Sequence, residues 1–254
     1  MVTKLAPERH DLIWGSRDTE PWYPNPEGLR AAEVWFPSGE LLIKFLFTTD
    51  SLSVQVHPND EQAQQVGKPR GKTEMWHILR ADPGARIALG LNRAVTAAQL
   101  RSAAVDGSIV DLLNWIPVSA GQTFFVPAGT IHAIGAGIAL CEIQQLSDIT
   151  YRLYDWSRGR ELHLEQGVAV SLLKPANEGH VELPVESTYF RTERVTVNGL
   201  LSLAESSANW IVLEGTGTLA GYDFQPGDVF LSDGSLLEIR AEHAVFLKSL
   251  ELPN

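Results

Sequence analysis

The sequence predicts an all-β protein, a sandwich of many short strands carrying a few short helices. The 21 glycines and 14 prolines recur throughout the 254 residues and cut the chain into short pieces. Between them lie apolar, β-branched or alternating runs at 32–36, 41–47, 52–56, 73–79, 123–126 and 137–143. That spacing is the pattern of sandwiches and barrels. Helical periodicity is confined to a few stretches.

Taken in order, the first helical turn is expected after Pro58, where Asn59-Asp60-Glu61-Gln62 carries N-cap chemistry. A helical insert at about 93–116 follows, with one or two short helices from Thr96 to Trp115 opened by a Thr96-x-x-Gln99 capping signal. A third helix is expected from Glu165 to Leu173, ahead of Lys174-Pro175. The polar segment 175–186, with Pro175 and Pro184, reads as a linker. It would divide an N-terminal β unit (1–175) from a smaller C-terminal one (185–254). The second unit reads as a reduced copy of the first, because Gln225-Pro-Gly-Asp228 echoes Ser119-Ala-Gly-Gln122, each a turn ahead of a β-rich run.

A chain of this length can bury roughly 70–75% of its unfolded surface, enough for a full core. With 20 Lys+Arg against 31 Asp+Glu the net charge is -11 and no basic stripe offsets it, which argues against nucleic acid as a partner. No apolar run approaches the ~20 residues of a membrane span. Cys141 is the single cysteine, and the opening residues lack the apolar core of a secretory signal, so the cytoplasm is the expected compartment. The expected partner is a small molecule; the sequence does not fix the oligomeric state.

Ser53, Gln55 and His57 alternate, so on a strand they share one face while Val54 and Val56 take the other. Lys72 and Glu74 alternate likewise, and His132 stands just beyond the turn Pro127-Ala-Gly-Thr-Ile. Two imidazoles, a carboxylate and an amide oxygen make an N/O set suited to Zn²⁺ or another divalent first-row ion. Taken singly, each histidine is better explained by a hydrogen-bonded, partly buried side chain; it is the four together that bring the metal reading level with it. Glu142 and Gln144 share a face among Ile138, Leu140 and Ile143. Burial there would raise the carboxyl pKa toward general-base range, the alternative being a structural pair with Arg152 ten residues on.

Other features carry less. Gly215-x-Gly217 lacks the helix of a phosphate loop, and Cys141, facing away from Glu142, reads as a packed small hydrophobe. His10, His77, His163, His180 and His243 have no evident partner, and the tryptophans read as core or pocket wall. No Gly-x-Ser-x-Gly motif supports a serine hydrolase.

Several blocks in order resemble the type I mannose-6-phosphate isomerases, the zinc-dependent cupins. They are Leu41-Leu-Ile-Lys-Phe-Leu46 with Leu52-Ser-Val-Gln-Val-His-Pro-Asn-Asp60, then Gly71-Lys-Thr-Glu-Met-Trp76 and Val126-Pro-Ala-Gly-Thr-Ile-His-Ala-Ile-Gly135. Glu142-Ile-Gln-Gln145 with Tyr151-Arg-Leu-Tyr-Asp-Trp156 completes the set, and the region 212–231 is a looser match to the family's C-terminal sandwich. The resemblance implies a cupin, a jelly-roll β-sandwich, binding one zinc ion through Gln55, His57, Glu74 and His132. It implies Arg152 as catalytic arginine, Lys72 and Glu142 at the reacting end of the sugar, and Ser53, Lys44 and Arg158 toward substrate or its phosphate. The implied reaction interconverts mannose 6-phosphate and fructose 6-phosphate through an enediolate, with Glu142 ahead of Lys72 as the base.

The short helical stretch between Glu74 and Pro127 departs from the family's long forms, so phosphate contacts from a lid-like helical domain are not expected. Two rivals stand beside this reading. One is a cupin metalloenzyme of another class, such as an oxygenase; the other is a non-catalytic sugar-phosphate-binding cupin.

Overall fold

Every residue of the strand Leu41–Phe47 is buried, although alternate side chains leave it in opposite directions. Ile43, Phe45 and Phe47 enter one apolar cluster with Phe36, Met75, Cys141 and Ile143. Leu46, from the other face, joins Trp76, Ile78, Phe124 and Leu140 in a second. A strand covered on both sides belongs to an inner layer, and its sheet is that layer.

The computed structural model describes residues 1–25, 27–176, 179–204 and 207–252. It is mostly antiparallel strand, arranged in stacked layers. The inner sheet has six strands in the order Glu8–His10, Glu33–Ser38, Leu41–Phe47, Ile138–Gln145, Glu74–Ala81, Thr123–Val126. A five-stranded sheet packs on one side, in the order Tyr151–Tyr154, Val54–Val56, His132–Ile134, Arg86–Leu91, Leu113–Pro117. The helices Ala97–Asp106 and Leu164–Val170 cover its outer face through Leu100, Ala103, Ala104 and Val168 against Val54, Val56 and Ala133. On the other side of the inner sheet lies an eight-stranded sheet built mainly from 185–251. Its Ile211, Leu213, Val229, Val245 and Leu247 complete the cluster begun by Phe45. The two units therefore share a core. Among the described residues no helix is long and apolar enough to cross a membrane.

Local signals formed as their chemistry dictates. Both capping boxes close: Asn59 Oδ1 accepts from Gln62 N at 2.9 Å, and Thr96 Oγ1 from Gln99 N at 3.2 Å. Gly107, at φ 85°, ends the second helix in a conformation other residues adopt at a cost. Where helix was expected through Trp115, the chain instead passes through the 3-10 turn Ser108–Leu112 into the strand Leu113–Pro117, whose pairing with Arg86–Leu91 overrides local periodicity. The third helix is shorter than expected, Leu164–Val170. Within the segment 175–186, residues 177 and 178 lie outside the described residues. Val2–Lys4 pairs with Phe230–Ser232, so the chain's first strand sits in the far sheet.

The echo between the two turns is a matched geometry. Ser119 N donates to Gln122 Oε1 at 2.8 Å, and Gln225 N to Asp228 Oδ2 at 2.9 Å. Gly121 N reaches Ile78 O at 2.8 Å as Gly227 N reaches Val212 O at 2.9 Å, and both glycines have positive φ, 86° and 91°. Through these turns Trp76 and Trp210 hold equivalent places, opposite Phe124 and Phe230.

Candidate active site

Gly71 has no room for a side chain: a Cβ would lie 2.4 Å from the Asn59 carbonyl carbon and 2.5 Å from Pro58 O. That close approach lets Lys72 N donate to Pro58 O at 3.0 Å, bringing the 71–74 segment against His57. Asp60 braces the contact, its Oδ1 accepting from Gly71 N at 2.8 Å and from Gln145 Nε2 at 2.7 Å. Strand alternation then sends Glu74, Trp76, Lys44 and Glu142 from the inner sheet toward Gln55, His57 and His132 on the five-stranded sheet. Gln55 is paired with His132 on one side and Arg152 on the other.

His57 Nδ1 lies 2.9 Å from Ile149 O, and His132 Nδ1 lies 2.8 Å from Thr130 O. A carbonyl only accepts, so each Nδ1 carries the proton and each Nε2 presents a lone pair. Those lone pairs converge on Glu74, at 3.7 Å from His57 to Oε2 and 3.5 Å from His132 to Oε1. Among the described residues His132 Nε2 and Glu74 Oε1 are buried without a hydrogen-bond partner, while Lys72 Nζ lies 2.8 Å from Glu74 Oε2 and 3.1 Å from His57 Nε2. Burial holds the His57 pKa well below its usual value and brings His132 to about 4, so both rings are neutral at neutral pH. Burial, then the charge of Glu142, pushes Glu74 up against the pull of Lys72. Two neutral imidazoles and a carboxylate that gains from a cation are a donor set that fits a divalent metal, and the backbone carbonyls fix the tautomers such a site needs.

Glu142 corrects an expectation. Burial raises its pKa, but Lys44 and Lys72 together with hydrogen bonds from Lys44 and Trp76 outweigh it and hold the carboxyl well below its ordinary value. Lys44 Nζ is 3.1 Å from Oε1, Trp76 Nε1 2.9 Å from Oε2 and Lys72 Nζ 3.9 Å from Oε1. Arg152 is absent from this set, so the alternative of a Glu142–Arg152 pair is not what the structure forms. Lys44 stays charged, because burial is outweighed by Glu142, Glu33 and Glu74. Its ammonium stands 4.6 Å over the Trp35 ring, whose Nε1 donates to Glu33 at 2.5 Å.

A cavity of about 280 Å³ opens onto these groups, walled by Trp14, Trp35, Lys44, Ser53, Gln55, Lys72, Glu142, Arg152 and Arg160 among others. Every expected site residue thus lies in the cavity wall or its metal cluster, except Arg158. That guanidinium is turned to Asp155, with Nη2 to Oδ1 at 3.1 Å, and its Nη1 faces Asp50 at 3.7 Å without a hydrogen bond among the described residues. Arg160, two residues on, lines the cavity instead. The sequence reading missed Arg160, Asp155, Trp76 and Glu33; the signal for the first two was three arginines spaced around one acid at 152–160. It also gave His163 no partner, yet His163 Nδ1 accepts from Arg152 N at 3.2 Å and fixes that strand.

Among the described residues the C-terminal copy lacks this chemistry. Trp210 is flanked by Lys248 where Trp76 is flanked by Glu142, and Lys248 pairs with Glu193 at 3.2 Å, reversing the charges of Glu142 and Lys44. Ala208 stands where Glu74 stands, two residues before the tryptophan.

No family model matches the chain. Among curated proteins, it is 36% identical over 234 residues to mannose-6-phosphate isomerase of Streptococcus mutans, covering 80% of this chain and 74% of that one. It is 36% identical over 226 residues to mannose-6-phosphate isomerase ManA of Bacillus subtilis, covering 80% and 71%. Among solved structures, a mannose 6-phosphate isomerase from Bacillus subtilis superposes with a TM-score of 0.87 at 25% identity, covering 98% of this chain and 99% of that one.

Proposed function

The chain belongs to the mannose-6-phosphate isomerase family, and on that footing we propose that it interconverts mannose 6-phosphate and fructose 6-phosphate at the His57–Glu74–His132 cavity. The observation that carries the reading is the convergence of two neutral Nε2 lone pairs on the buried carboxylate of Glu74, itself paired with Lys72, beside an ionised Glu142. His57, Glu74 and His132 would hold the ion and Gln55 would supply the fourth ligand, with zinc as the metal this N/O set suits. Bound there, zinc supplies a Lewis acid for the sugar's carbonyl and neighbouring hydroxyl oxygens.

The remaining steps fall to the chain's own side chains. Glu142, a carboxylate across the neutral range, takes the proton from C2 of the aldose and returns it to C1, while a hydroxyl proton moves between O2 and O1 to complete the ketose. Lys72 is the competing base. Arg152 keeps its guanidinium charged and stabilises the negative charge of the enediolate. Lys44 holds Glu142 in place and adds positive charge to the wall, Ser53 offers a hydroxyl to the substrate, and Arg158 supports the phosphate end from behind Asp155. The expected compartment is the cytoplasm.

An isomerase, rather than an oxygenase or a silent binder, is what the relatives support. A coupled assay for fructose 6-phosphate, run with oxygen uptake and metal analysis on one sample, tests it. Turnover without oxygen consumption, lost on chelation and restored by zinc, is expected. Substrate binding with no turnover at any metal loading would overturn it.

A further inference from the structure

We propose that Arg160 is the principal contact for the substrate's phosphate, held in place by Asp155, with Arg152 beside it and Arg158 acting only as a strut. This rests on the reading of the substrate as a phosphorylated hexose. Asp155 is 3% exposed and accepts Nε of Arg160 at 2.8 Å and Nη2 at 2.5 Å, a two-point grip that fixes the guanidinium plane. Among the described residues Arg160 Nη1 donates to no protein group, and the side chain lines the cavity. Arg152 lines it too; its Nη1 donates to Glu161 O at 2.8 Å, and its Nε is buried without a partner. Arg158 differs in its placement. Its Nε donates to Asp155 O and its Nη2 to Asp155 Oδ1, its Nη1 is 3.7 Å from Asp50 with no hydrogen bond among the described residues, and the side chain stands outside the cavity wall.

Charge points the same way. Two guanidinium groups, of Arg158 and Arg160, share the buried carboxylate of Asp155, with the charge of Arg152 close enough to act on it too, in a chain whose net charge is -11. Such a local surplus of cation suits a phosphate dianion, and a forked, pre-oriented arginine binds it better than a flexible lysine. Asp155 is a positioning residue here: it touches the arginines and not the substrate.

Arg160→Ala and Arg160→Lys are compared with the wild-type holoenzyme for turnover of mannose 6-phosphate and of unphosphorylated mannose, and for inhibition by inorganic phosphate. Loss of one charged hydrogen-bonding partner should raise KM for mannose 6-phosphate and Ki for phosphate by at least about tenfold. Expected alongside are a kcat within about threefold, unchanged metal content and unchanged handling of mannose. Arg160→Lys should fall between the two. Should Arg160→Ala fail to fold, Arg160→Lys and Asp155→Asn carry the same comparison, each expected to weaken phosphate inhibition. Unchanged KM and Ki, or loss of kcat with Ki intact, would overturn the assignment. A wild-type enzyme indifferent to the phosphate group would instead defeat the sugar-phosphate reading, so the two failures are told apart.

Discussion

Glu142 sits among Lys44, Lys72 and Trp76, three side chains delivered by two other strands and a loop, and they keep it ionised where burial alone would neutralise it. The sequence showed its apolar neighbours and not these partners, which are 66 to 98 residues away in the chain, so the pKa inferred from neighbours had the wrong sign. Glu142→Gln keeps the shape and removes the basicity; kcat should fall at least ~10²-fold, with metal content unchanged. Solvent deuterium incorporation at C2 should fall with it, and the base would move to Lys72 if exchange survived Glu142→Gln and vanished in Lys72→Met. Asp155 makes a separate prediction. Although burial raises its carboxyl, hydrogen bonding from Arg160 and the charges of Arg160, Arg158 and Arg152 lower it below the ordinary value, so its contribution to stability is present above the unfolded pKa of about 3.9 and is lost as pH falls below it. Asp155→Asn should cost about 1.5–3 kcal/mol in urea unfolding at pH 7 and progressively less below pH 4. A deficit that grew on acidification would contradict the sign.

Elements were legible wherever a local rule decides them. The Asn59–Gln62 and Thr96–Gln99 boxes cap helices, and alternation at 53–57 and 72–74 turns the polar set inward. Where pairing at a distance decides, they were not: 113–117 is a strand because Arg86–Leu91 lies alongside it, and Val2–Lys4 joins a sheet whose other strands begin at residue 185. The segment 71–74 combines both cases, its alternation visible and its close passage over Asn59 not. Gly71→Ala should push that segment off Pro58, costing about 1–3 kcal/mol by overpacking. Weaker metal retention should accompany it, because Glu74 moves relative to His57 and His132. Chelator competition and thermal unfolding measure the two together; normal metal retention in a destabilised Gly71→Ala would separate the loop from the site.

The whole molecule is organised around the inner sheet, one face of which builds the cavity and the other the cluster shared with the C-terminal strands. Composition suggested a linker at 175–186 and a second β unit; the common core was not readable, because it joins Phe45 and Ile43 to Ile211, Val245 and Leu247 across a long stretch of chain. Unfolding should therefore be a single cooperative transition followed alike by near-ultraviolet and far-ultraviolet signals. Phe45→Ala, which empties the shared core, should lower stability by about 3–5 kcal/mol without splitting that transition. Two resolved transitions would show that the halves fold apart. Placing the metal chemistry in the N-terminal copy alone leads to the most direct test, in which protein stripped of metal is titrated with zinc while bound metal and fructose 6-phosphate formation are read together. Activity should rise in proportion to bound zinc, level off at one ion per chain, and be absent with the ion in His132→Ala; full activity in stripped protein, or undiminished stoichiometric zinc in His132→Ala, would contradict the account.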